Sequence, residues 1–342
     1  MWQAQSEAKG ISLTAQPISP ERHASNAVRQ KPRVTWFRQW NTDLDDALSR
    51  LPESDACPHK LFQLLATGST GNRKLIALVH DKGAPVAIAA LRRTQDARWV
   101  PVTHYVVPGF VLPSQPGRLL DAVASLGVTV DLGFWRSERE PPSHEAIRLL
   151  WSEPSFGMET SDDFEAYWRK TGKLYAIRGA RKKCSGFSLA MNQPGAARTI
   201  IMEWGKAWGV DKGELADRIT AAEYLEREGR HISLMLRDGD RQVGGANCFI
   251  HNNALVAGVY FRSREYEKQD IGTYILYLTF EVAQKLNLES VDLGGGHAYK
   301  QRFAPARGVK YETRVCGNVV RYQFDRALGK LRRTALARRT AE

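Results

Sequence analysis

The chain has 342 residues, 43% of them apolar and 25% charged. These are ordinary globular proportions, and they exclude wholesale disorder, collagen and a disulfide miniprotein. Lys and Arg number 49 against 37 Asp and Glu, a formal net charge of +12, so the partners to expect are nucleic acid, an anionic membrane or small phosphate-bearing groups.

Residues 1–35 are polar and unpatterned (SLTAQPISPERHASNAVRQKPR) and read as a mobile tail. The opening stretch MWQAQSEAKG has no apolar signal-peptide core. No run approaches the roughly 18 apolar residues of a membrane span, so no transmembrane segment is expected. Cys57, Cys184, Cys248 and Cys316 show no CxxC spacing. Free thiols in a reduced, cytoplasmic protein are the expectation. No metal is expected: a tetrahedral site needs three or four converging ligands, and the stretches holding Cys57 with His59 and Cys248 with His251 supply too few.

Packing begins near Trp36. Residues 75–80 and 85–92 read as strands joined at Asp81-Lys82-Gly83, a hairpin. Residues 99–107 are strand-like with an edge or bulge at Pro101, 117–126 are helical, and 128–134 return as a strand. The second half repeats this order. Residues 232–237 lead through Asp238-Gly239-Asp240 into 242–250 and then 254–262. A helix covers about 272–287, and a strand covers 289–294. Asp81 and Asp238 lie 157 residues apart, and Val-Asp-Leu-Gly recurs at Val130–Gly133 and Val291–Gly294, 161 apart. Shared order, turn and spacing point to an internal duplication.

Between the halves, Ser161 followed by Asp162 and Asp163 starts a helix that the pattern continues to about 184. Residues 196–208 and 213–228 give two more amphipathic helices, the second ended by Gly229. Phe324, Leu328, Leu331 and Ala335 recur at helical spacing among basic residues, so a basic amphipathic helix is expected at 321–342.

The order of strands and helices, together with SVDLGGGHAYKQRF at 290–303, resembles the Gcn5-related N-acetyltransferase (GNAT) superfamily. More narrowly, it resembles the CelD-like (cellulose-biosynthesis-protein-like) acetyltransferases, which are related to the Fem-type peptidyltransferases. In that signature an Asp-x-Gly-x-Gly strand end leads into Tyr-Lys-x-Arg-Phe. The resemblance implies an α/β (α+β) fold of tandem GNAT-like domains, each a mixed, mostly antiparallel sheet flanked by helices. The divisions are a degenerate N-terminal copy over 36–155, an acyltransferase domain over 156–320 and a basic tail over 321–342.

It also implies an N-acyltransferase that moves an acyl group from acyl-CoA or an acyl carrier protein thioester to an amine or hydroxyl, with no metal. A Fem-type transferase using aminoacyl-tRNA, or a non-catalytic GNAT-fold binder, are the alternatives. The family's phosphate loop is Gln/Arg-x-x-Gly-x-Gly/Ala, whose amides hold the CoA pyrophosphate at a helix start. Here the stretch is Gln269-Asp270-Ile271-Gly272-Thr273. It keeps one glycine and sets a carboxylate near the expected phosphates, which leaves carrier protein and tRNA open as donors.

The catalytic candidates are Asp292 (a base, a support for His297 or a cap of the glycine turn), His297, Tyr299 (an acid for the departing thiolate, with Tyr260 and Tyr274 as rivals) and Lys300. The donor-binding candidates are Gly258, Val259 and Tyr260 along the pantetheine arm, with Gln269, Gly272 and Thr273 at the helix start. Arg178, Arg181 and Arg302 are candidates to hold a phosphate or carboxylate. The N-terminal copy keeps Asp131 but has Phe134-Trp135-Arg136 in place of the glycine run, so a structural role is expected, with His104 and Trp135 at the acceptor cleft. The charge surplus is local. Residues 164–184 hold seven basic residues against Glu165, and 321–342 hold seven against Asp325 and Glu342. The first patch suits RNA phosphates or an acidic acyl carrier protein, although no RNA-module motif is visible. Peripheral membrane contact through the second stays open.

Overall fold

The computed structural model describes residues 33–53, 58–68, 74–93, 99–102, 110–111, 129–136, 147–295 and 298–316. His104, His297, the helix expected at 117–126 and the basic segment 321–342 lie outside the described residues. The strands are β1 (Arg33–Phe37), β2 (Lys74–Asp81), β3 (Ala84–Arg93), β4 (Trp99–Pro101), β5 (Phe110–Val111), β6 (Thr129–Arg136), β7 (Ile147–Glu159), β8 (Ser188–Met191), β9 (His231–Asp238), β10 (Arg241–His251), β11 (Ala254–Arg262), β12 (Ser290–Gly295) and β13 (Ala306–Cys316). The helices are α1 (Thr42–Ser49), α2 (His59–Thr67), α3 (Phe164–Lys170), α4 (Leu174–Lys183), α5 (Ala196–Trp208), α6 (Lys212–Arg227) and α7 (Ile271–Lys285).

Among the described residues all thirteen strands join one sheet, in the order β1-β2-β3-β4-β6-β13-β7-β12-β11-β10-β9-β8, with β5 beside β3. Read from its two ends, this order is a palindrome of the duplicated elements. The strand β1 answers to β8, β2 to β9, β3 to β10, β4 to β11, β6 to β12 and β7 to β13. Pairing is antiparallel except at β4–β6 and β11–β12, the equivalent parallel joints of the two halves. The strands β7 and β13 are exchanged across the centre. The first leaves the N-terminal half to pair with β12, and the second returns to pair with β6. The fold is therefore a mixed, mostly antiparallel sheet flanked by helices, in two topologically equivalent halves. The boundary expected at 155/156 falls inside β7.

Local chemistry sets the turns. Lys82 and Gly83 both have positive φ (51 and 84), which a tight hairpin between right-twisted strands requires. The helix read as continuous from 164 to 184 breaks at Thr171–Lys173, where Gly172 is left-handed at φ 70. Asp163 caps α3 by accepting the Ala166 N–H at 2.9 Å, and Asp211 caps α6 by accepting the Gly213 N–H at 2.9 Å.

Each face of the C-terminal half has its own core. On one side Phe164, Trp168, Ile177 and Phe280, from α3, α4 and α7, pack on Leu234, Leu236 and Leu255. On the other side Ile200, Ile201 and Ile219, from α5 and α6, pack on Met235 and Val259. The helix α6 also packs on the N-terminal half: Ala221, Tyr224 and Leu225 join Leu61, Phe62, Ile76 and Ile88. A buried ion cluster seals this contact. Arg92 of β3 meets Asp211 at 2.7 Å and Asp217 at 3.0 Å.

Candidate active site

The parallel joint of β11 and β12 is short. Ala254, Leu255 and Val256 pair with Ser290, Val291 and Asp292, and then the strands part. The strand β11 runs on to Arg262 against β10 alone, while β12 turns toward β7. Beyond Val256, β11 presents backbone donors and acceptors that β12 does not use, and these need partners from elsewhere.

The strand β11 carries one extra residue inside this opening. Its register against β10 jumps from Asn247↔Val259 to Cys248↔Ala257, which leaves Gly258 as a bulge. A Cβ at Gly258 would stand 2.6 Å from the Phe249 ring and 2.7 Å from the Asn247 carbonyl. The glycine is therefore required by close packing within the sheet. Val259 next to it is buried toward α5.

A cavity of about 1240 Å³ opens at the end of β11. Tyr260, Phe261, Arg262, Ser263 and Arg264 form its spine. Glu203, Lys206 and Trp208 from α5 close one side, Gly272 and Thr273 from the start of α7 close another, and Tyr299, Phe303 and Lys173 complete the wall. Its volume exceeds the range of about 300–1,000 Å³ usual for a small-ligand site.

The start of α7 faces this space with amide donors that no helical carbonyl reaches. Its cap residue Asp270 is left-handed (φ 57) and makes no side-chain cap bond. The Asp270 carboxylate is taken instead by Lys183 of α4 at 2.6 Å. The negative charge read from the sequence as hostile to phosphate is thus matched by a cation. Arg262 runs past the same helix end, with its Cδ 3.7 Å from the Cβ position of Gly272. Neither Arg262 nor Arg264 forms an ion pair among the described residues. Anions are favoured where free helix amides and an unpaired guanidinium converge.

Of the residues expected from the sequence, Tyr260, Gly272, Thr273 and Tyr299 line the cavity. Burial drives the Tyr260 hydroxyl well above its usual pKa and holds it neutral, and that hydroxyl makes no hydrogen bond in the structure. The nearby Thr279 hydroxyl donates instead to the Ile275 carbonyl at 3.0 Å. Tyr299 is 47% exposed. Partial burial raises its pKa, and the charge of Arg262 opposes the rise.

The other candidates lie off the wall. Asp292 accepts the Gly294 N–H at 2.6 Å, a cap on the glycine turn. Lys300 donates to the Leu293 carbonyl at 2.8 Å and the Gly295 carbonyl at 2.7 Å, so it holds the end of β12 and does not point outward from a helix face. Arg178 pairs with Glu165 at 2.8 Å, and Arg181 lies over the Tyr277 ring at 4.6 Å. The Gln269 carbonyl accepts the Cys184 thiol at 3.3 Å. Arg302 is exposed, and its carbonyl accepts the Thr171 hydroxyl at 2.9 Å.

Sequence reading missed Lys173, Glu203, Lys206, Trp208, Arg262 and Arg264. One signal was available: Arg262 closes a strand and Arg264 follows it, shortly before the α7 start. Lys173 was hidden because the break at Gly172 was read as helix. Burial lowers the Lys173 pKa and Arg302 lowers it further, against a smaller opposing effect of Asp270. Its ammonium sits 5.2 Å from the centre of the Phe303 ring.

Residues 195–302 match the acetyltransferase (GNAT) domain family. That span runs from the start of α5 through the cavity wall to the Tyr-Lys-x-Arg block. No curated protein matches the chain. Among solved structures it is similar to L-PGS from Bacillus licheniformis, at 13% identity and a TM-score of 0.49, over 86% of this chain and 98% of that one. It is similar to a tandem GNAT protein from the clavulanic acid biosynthesis pathway, at 11% identity and a TM-score of 0.47, over 82% and 98%. It is also similar to FemX, at 11% identity and a TM-score of 0.43, over 81% and 96%.

Proposed function

We propose that this protein is an acyltransferase that moves an acyl group from a thioester, acyl-CoA or an acyl carrier, to an amine or hydroxyl. The observation that carries the reading is the parting of β11 from β12 beside an open helix start with an unpaired arginine. A thioester donor has an anionic end and an arm of amides, and this arrangement offers complementary groups to both. The α7 amides, Gly272, Thr273 and Arg262 take the phosphate end. The free edge of β11 pairs with the amides of the arm.

Transfer to an amine forms the bond from nitrogen to the acyl carbon and breaks the bond from that carbon to sulfur. The nitrogen loses a proton and the thiolate gains one. Tyr299 lies on the wall where a proton donor to the thiolate is needed. Tyr260, kept neutral by burial, offers a fixed hydrogen bond and not a transferable proton. Asp292 and Lys300 act as positioning residues, since both hold the end of β12. Glu203, a carboxylate of the lining, is held by Lys206 one turn along α5, so it adds no net negative charge toward an acceptor. Residues 156–320 form the acyltransferase unit and 36–155 its structural partner, with β7 and β13 exchanged between them.

Native mass spectrometry with acetyl-CoA tests the donor assignment. The expected result is a one-to-one complex that Arg262→Ala weakens by about tenfold, the scale of one charge-assisted contact. An unchanged spectrum with acetyl-CoA and with longer acyl-CoA contradicts it.

A further inference from the structure

We infer that the outward face of α4 docks an acidic carrier protein that delivers the acyl group on a phosphopantetheine arm. This rests on the acyl-transfer reading above and specifies the form in which the donor arrives. The inward stripe of α4 is Leu174, Ile177 and Ala180, all buried. Its outward stripe, at helical spacing, is Tyr175, Arg178 and Lys182. Tyr175 is 90% exposed, and the exposed Arg169 and Lys170 close the preceding helix α3. The side chains of Arg169, Lys170 and Lys182 form no ion pair among the described residues. An aromatic ring left in water among unpaired cations is the composition of an interface centre awaiting a partner.

The position of the helix gives this face its meaning. Lys173, the residue before α4, lines the cavity. Lys183, its last residue, grips Asp270 at the start of α7 at 2.6 Å. The helix α4, about 15 Å long at 1.5 Å per residue, therefore starts at the cavity wall and ends tied to the cap of α7, whose Gly272 and Thr273 line the cavity. A donor whose thioester lies in the opening between β11 and β12 holds the rest of its body beside this helix. Seven basic residues against Glu165 over 164–184 make the complementary surface acidic. Lys182 on this stripe and Lys170 at the end of α3 are the cations that carboxylates of a facing acidic surface would meet, while Arg178 between them is held by Glu165 at 2.8 Å. Within the site the acyl carbon leaves the carrier's sulfur for the acceptor nitrogen, and the carrier departs as a thiol with a proton that the amine gave up.

The test uses the full chain and a purified bacterial fatty-acid acyl carrier protein, in holo form and charged with acetyl, octanoyl or myristoyl groups. Binding of the fluorescent holo carrier is measured by anisotropy at 50 and 200 mM salt, alongside thiol release from the charged carrier and from the matching acyl-CoA. The variants are Tyr175→Ala and the double variant Lys170→Glu with Lys182→Glu, all at exposed positions and checked by thermal melting. The expected result is salt-sensitive carrier binding that each variant weakens by about tenfold or more, with acyl-CoA turnover unchanged. Carrier binding without any thioester turnover keeps the docking face and overturns the acyl-transfer reading. Acyl-CoA turnover without carrier binding, or with binding that the variants leave intact, overturns the docking face. A gel shift of aminoacyl-tRNA abolished by the same variants, with no carrier bound, assigns the face to RNA and overturns it equally.

Discussion

Lys183 holds Asp270 at 2.6 Å, tying the last turn of α4 to the residue that starts α7. The pair neutralises the one carboxylate at the expected phosphate position and leaves the helix amides to a ligand. Both side chains are half exposed, so the pair adds little stability. Its effect belongs to the donor. Lys183→Glu is expected to raise the KM for acetyl-CoA severalfold while leaving acetyl-pantetheine, which lacks the phosphates, unchanged. Steady-state kinetics with the two thioesters checks this.

Gly258 is the bulge that turns β11 away from β12. A methyl there meets the Phe249 ring at 2.6 Å and the Asn247 carbonyl at 2.7 Å. Gly258→Ala is expected to destabilise the chain by about 1–3 kcal/mol, the cost of overpacking, and to lower turnover as the bulge shifts. Urea denaturation measures the first effect and thiol release the second.

Much of the fold is legible in the sequence because it rests on local chemistry. The Asp81 and Asp238 turns, the strand runs that flank them and the recurring Val-Asp-Leu-Gly mark both halves. The exchange of β7 and β13 is not legible, since partner choice in a sheet is non-local. The period-two pattern Val309, Tyr311, Thr313, Val315 is present in β13, but nothing in it says that β6 is the neighbour. In the site, residue type pointed to Tyr299 and Gly272, and both line the cavity. It pointed to Lys300 as a catalytic group, because a lysine in a conspicuous motif reads as a ligand hand, whereas here two carbonyls at the end of β12 accept its hydrogen bonds. Arg262 went unread because its role depends on how α7 folds back beside β11.

The contact between the halves carries its own pH signature. Burial raises Asp217 from 3.8 to about 6, with Arg92 the main opposing effect. A raised carboxylate weakens the fold while it is charged, so the penalty is full above pH 6 and fades as pH falls from about 6 toward 4. A shift of this size corresponds to about 3 kcal/mol. The stability difference between the wild type and Asp217→Asn is therefore expected to change over that window and to stay flat above pH 7. Denaturant midpoints from pH 4.5 to 8 measure it.

Arg92 is the partner that makes the buried Asp217 tolerable. Arg92→Met leaves Asp217 without its cation at 3.0 Å and Asp211 without its cation at 2.7 Å. The expected loss is about 3 kcal/mol or more. Arg92→Met combined with Asp217→Leu should recover a good part of it, as a double-mutant cycle by urea titration shows.

The central claim is that the cavity at the end of β11 transfers acyl groups from thioesters. Free-thiol release from acetyl-CoA and longer acyl-CoA, with and without a panel of amines, compared among the wild type, Tyr299→Phe and Arg262→Ala, tests it most directly. The account expects release above the buffer blank in the wild type, a lower kcat in Tyr299→Phe and a raised KM in Arg262→Ala. Release at the blank for every thioester, or release that neither substitution alters, would contradict it.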